Sequence, residues 1–85
     1  MITPQEAATL VLKKEPGRIL LTETPIVHKN SYIFATHVKD ENEWEDIVSI
    51  WRWVDMNTGV ISKKNMFSEM SKDKELERKV SKVLA

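Results

Sequence analysis

Cysteine is missing from this sequence, glycine occurs twice, histidine twice and proline three times, and no sign of charge prevails. Without cysteine there is no disulfide staple, thiolate metal site or cysteine nucleophile. Such a chain fits a reducing compartment. Gly17 and Gly59 alone cannot build a glycine-rich phosphate loop. The N-terminal apolar stretch Ala7–Leu12 is interrupted by Thr9 and falls far short of the roughly 20 residues that span a bilayer. Met1–Glu6 carries no basic n-region of a signal peptide, so the reading is cytoplasmic, with no membrane partner. Thirteen Lys and Arg balance 13 Asp and Glu. That balance removes any global field toward nucleic acid or anionic lipid.

What remains is the composition of one small globular domain spanning residues 1–85, with 41% hydrophobic and 31% charged residues. Thr3-Pro4-Gln5-Glu6 reads as a capping box with proline at the first helical position. Ala7, Leu10, Val11 and Lys14 follow at helical spacing, and Pro16-Gly17 ends the run, which predicts a helix over 4–14. Arg18–Thr24 has strand composition, and Pro25 makes this strand an edge strand or kinks it. After the polar turn 28–31, Tyr32–Lys39 forms the second strand. The acidic run Lys39–Asp46 reads as a solvated loop or one helical turn. Ile47–Met56 is the third strand, Asn57-Thr58-Gly59 its turn and Val60-Ile61-Ser62 its return. A C-terminal helix follows from about Met66, with a break expected near Ser71, which can cap the second piece. The expected fold is α+β: an N-terminal helix, an antiparallel sheet of three to four strands in two hairpins, and a C-terminal helix.

The segment 51–61, Trp51-Arg52-Trp53-Val54-Asp55-Met56-Asn57-Thr58-Gly59-Val60-Ile61, resembles the closing hairpin of PepSY-type domains. Asp55, Thr58, Gly59 and Ile61 match the positions of that turn. Small bacterial toxin-immunity proteins have a similar order of helix, aromatic strand, turn and helix. The resemblance implies a non-enzymatic binding or inhibitory module. It departs from PepSY-type domains in showing no leader, since those are usually secreted or membrane-attached.

Candidate chemistry is sparse. His28 and His37 should stand well apart along the hairpin and read as ordinary surface side chains, so no metal and no cofactor are expected. The acidic run lacks the spacing and glycine of a calcium loop. The serines sit in no nucleophile motif. Trp51 and Trp53 fall on one face of their strand by period-two alternation, with Val48, Ile50 and Val54 on the other and Arg52 interrupting that second face. Together with Tyr32 and Phe34 they form the candidate partner surface, since Trp and Tyr are enriched at binding hot spots. An apolar patch near Trp53 is expected to stay open. The preferred function is a protein-binding module, of which an inhibitor or immunity-like accessory protein of bacterial or phage origin is one form. Its partner is an unidentified protein or a second copy of the chain. The first alternative is a single-stranded nucleic-acid binder using the aromatics with Arg52, Lys63 and Lys64, against which the zero net charge counts. A small enzyme without a recognisable motif is the second.

Overall fold

A computed structural model describes residues 1–40 and 42–85; Glu41, part of the acidic run, lies outside the described residues. Over these residues the chain forms α1 (Pro4–Lys14), β1 (Arg18–Leu20), β2 (Ile26–His28), β3 (Ser31–Val38), β4 (Trp51–Asp55), β5 (Ile61–Ser62), α2 (Met66–Lys72) and α3 (Lys74–Leu84). The fold is α+β: one N-terminal helix, a five-stranded antiparallel sheet and two C-terminal helices.

Helix α1 has the predicted bounds. Thr3 Oγ1 accepts from the Glu6 N–H at 3.1 Å, and Glu6 Oε1 accepts from the Thr3 N–H at 3.0 Å. Two differences from expectation concern where elements break. The first strand is divided: β1 and β2 pair with the two ends of one edge of β3, separated by a bend at 21–24 and by Pro25, which directly precedes β2. Proline has no N–H to give a ladder, so the interruption falls where the ladder cannot continue. The second break divides the C-terminal helix. It falls at Asp73 rather than Ser71, because Asp73 Oδ1 accepts from the N–H groups of Glu75 and Leu76 and starts a new helix there. The third strand is also shorter than expected. Asp46–Ser49 closes a turn, and pairing starts only near Ile50, whose carbonyl accepts from the Thr36 N–H.

Cross-strand register sorts the core. Ile33 faces Trp53 and Ala35 faces Trp51 on one side of the sheet; Tyr32 faces Val54 and Phe34 faces Arg52 on the other. Side chains alternate across a strand, so β3, apolar at each position from Tyr32 to Ala35, buries both faces there. Helices α2 and α3 cover the tryptophan face with Met66, Leu76 and Val80. Helix α1 covers the opposite face with Ala7 and Val11. Ile50, expected beside Val54, instead packs with the tryptophans, because strand alternation does not extend back that far.

Candidate partner-binding surface

The four aromatic residues expected to meet a partner are all interior. Phe34, Trp51, Trp53 and Tyr32 retain 0%, 2%, 5% and 7% exposure. They do not share a surface either: the tryptophans lie beneath α2 and α3, while Tyr32 and Phe34 lie beneath α1. The open patch expected near Trp53 is closed. The helices on either side of the break at Asp73 both contribute to its cover, α2 with Met66 and α3 with Leu76 and Val80. Tyr32 spends its hydroxyl internally, donating to the Ile2 carbonyl at 2.9 Å.

Arg52, the charge that interrupts the strand pattern, is buried and fully engaged. Its Nε donates to Glu15 Oε2 at 2.7 Å, its Nη2 to Glu15 Oε1 at 3.4 Å, and its Nη1 to the carbonyls of Ser49 and Trp51. Glu15 is the C-cap of α1, so one carboxylate ties the helix end to the sheet. The Arg52 guanidinium holds the Glu15 carboxyl below its ordinary value. Arg52 is therefore not free to meet a phosphate, as the nucleic-acid reading required; Lys63 and Lys64 are exposed.

His28 is not a surface residue. It is buried, with Nε2 2.7 Å from Asp73 Oδ2 and Nδ1 3.2 Å from the Lys79 ammonium. Lys79 can only donate, so Nδ1 accepts, and Nε2–H donates to Asp73. Both ring nitrogens are thus occupied in tying β2 to α3. His37, half-buried, lies at the far end of β3 with Nδ1 2.9 Å from the Val38 carbonyl oxygen. Among the described residues no three His, Asp or Glu side chains gather as metal ligands would. A cleft of about 280 Å³ lies beside His28, with Lys29, Lys64 and Lys72 on its rim. Lys29 is paired with Asp73 at 3.4 Å and Lys72 with Glu69 at 3.6 Å.

The outlying tryptophan is Trp44, 85% exposed in the loop between β3 and β4. Its position follows from its neighbour. Glu45 turns inward, where Oε1 accepts from the Val38 N–H and from Arg18 Nη2, both at 2.9 Å. Arg18 is itself buried and donates through Nε to Thr36 Oγ1. Burial works against ionisation of Glu45, but the Val38 N–H and Arg18 outweigh it and hold the carboxyl below its ordinary value. Side turns brace the loop further: Asp40 accepts from the Asn42 N–H and Asp46 from the Val48 N–H. Held at Glu45, the chain presents the adjacent indole to solvent. Three residues on, Ile47 is 46% exposed and shares a shallow crevice with Phe67 and Leu84, which are 55% and 56% exposed. The sequence contained one sign of this: Trp44 is the sole apolar residue in the run Lys39–Asp46, so no strand or helix period calls it inward. Among the described residues no helix is long and apolar enough to cross a membrane. Comparison with protein-family models, curated proteins and solved structures found no match to the chain.

Proposed function

We propose that this chain is a non-enzymatic protein-binding module that captures its partner through the β3–β4 loop, with Trp44 as the anchor. The observation that carries the reading is an almost wholly exposed indole on a loop pinned by a half-buried carboxylate. Burying such a side chain removes roughly 200 Å² from water, worth up to about 5 kcal/mol. A loop already held in place also loses less entropy on binding than a mobile one. Asp55, Thr58, Gly59 and Ile61 are the residues on which the PepSY-type resemblance rests, and that resemblance implies a binding role. Reaction chemistry through His28 has less support, since both its nitrogens are engaged. So does phosphate binding through Arg52.

The test is affinity capture from nuclease-treated native lysate, with wild type and Trp44→Ala as paired baits. A protein retained by wild type should be lost with Trp44→Ala, by the roughly 30-fold that a hot-spot side chain of about 2 kcal/mol represents. Identical catches from both baits would remove Trp44 from the interface.

A further inference from the structure

Trp44 is 85% exposed, and the residues around it in the loop are mostly acidic. Asp40, Glu43 and Asp46 are exposed beside Trp44, and none of the three makes an ion pair among the described residues. Glu45, the carboxylate between Trp44 and Asp46, is the one neutralised from within, by Arg18. The chain as a whole is neutral and Lys39 is the one basic residue of the run 39–46, so the negative excess of this loop is local.

Resting on the Trp44 reading, we infer that the occupant of this surface is a protein presenting lysine and arginine side chains around an apolar pocket that takes the indole. Charge complementarity separates this occupant from three others. An exposed tryptophan also suits a bilayer interface or a stacked nucleobase, but nucleic acid and anionic bilayers carry negative charge and would meet three exposed carboxylates. A two-fold dimer through the loop would set the same carboxylates against their copies. A cationic protein gains from each of them, chiefly in association rate and in choice of partner.

The experiment selects a random 12-residue peptide library displayed on phage against the immobilised full-length chain. Selected peptides are then titrated against four soluble proteins: wild type, Trp44→Ala, Trp44→Phe and the double variant Glu43→Lys with Asp46→Lys. All the substituted positions are exposed, and a thermal melt of each variant confirms folding. The expected peptides carry lysine or arginine flanking an apolar residue. They should weaken about tenfold between 20 and 200 mM salt. They should lose binding to Trp44→Ala, keep most of it with Trp44→Phe, and weaken about tenfold or more against the charge-reversed variant. Peptides without basic residues, or unchanged affinity for the charge-reversed protein, would overturn the cationic partner while leaving the Trp44 surface in place. Binding that survives Trp44→Ala, or a library that yields no binder, would overturn both. Two controls use the free chain. Co-sedimentation with phosphatidylglycerol vesicles, or self-association lost on Trp44→Ala in analytical ultracentrifugation, would replace the cationic protein with a bilayer or with a second copy.

Discussion

The Glu15 carboxylate at the C-terminal end of α1 holds the guanidinium of Arg52 in the middle of the sheet, with contacts of 2.7 and 3.4 Å. Removing one member leaves the other buried without its charge partner. Glu15→Gln should therefore destabilise the protein by about 3 kcal/mol. Lys63 approaches the same carboxylate at 3.7 Å from solvent, and Lys63→Ala should change stability by no more than about 0.5 kcal/mol. Urea midpoints of the two variants test the contrast. Equal effects would mean that the Arg52 pair carries no special weight.

Asp73 gives stability an acid limit. The hydrogen bond from His28, with help from the Leu76 N–H, lowers its carboxyl from the ordinary 3.8 to about 2. A depressed native pKa means that ionised Asp73 stabilises the fold above about pH 4. That contribution fades as pH falls from about 4 to about 2, because the unfolded chain takes up the proton first. The wild-type melting temperature should fall across this window. Asp73→Asn should start lower at neutral pH and show a flatter slope there. Parallel profiles for the two proteins would remove Asp73 as the source.

Gly59 occupies the left-handed region at φ 73°, and a Cβ there would lie 3.2 Å from Leu10 Cδ1. Gly59→Ala should cost about 1 kcal/mol or more through backbone strain, and the Leu10 contact adds to it. Equilibrium unfolding of the variant measures this directly; an unchanged midpoint would count against the turn conformation.

The three tryptophans divide into two optical classes. Trp51 and Trp53 are buried while Trp44 is open, so wild-type emission should contain a red-shifted component that acrylamide quenches readily. Trp44→Phe should abolish that component and leave a blue-shifted, quencher-resistant band. Resistant emission in wild type would place Trp44 under cover and sink the binding surface built on it.

Local chemistry was enough to specify much of this molecule. Thr3, Pro4 and Glu6 define the start of α1 through bonds within four residues, and Pro16-Gly17 defines its end. Asn57-Thr58-Gly59 fixes the β4–β5 turn in the same way, with Asp55 accepting from the N–H groups of Asn57 and Thr58. Period-two alternation placed Trp51 with Trp53 and, in β3, Ile33 with Ala35 opposite Tyr32 and Phe34. What alternation cannot say is whether a face is covered, and here both faces are, which takes Tyr32, Phe34, Trp51 and Trp53 off the surface. The expected surface aromatics are interior because α2 and α3 meet the sheet on either side of Asp73. The exposed tryptophan, Trp44, lies in a loop held by Glu45 meeting Arg18, 27 residues away in sequence. Arg52 looked like a flaw in an apolar strand because its partner, Glu15, is 37 residues distant. Likewise His28 looked solvated because Asp73 is 45 residues away. Capping and turn bonds close within a few residues, so residue order specifies them; burial and long-range ion pairs exist only once the chain has packed, and only the tertiary structure decides them.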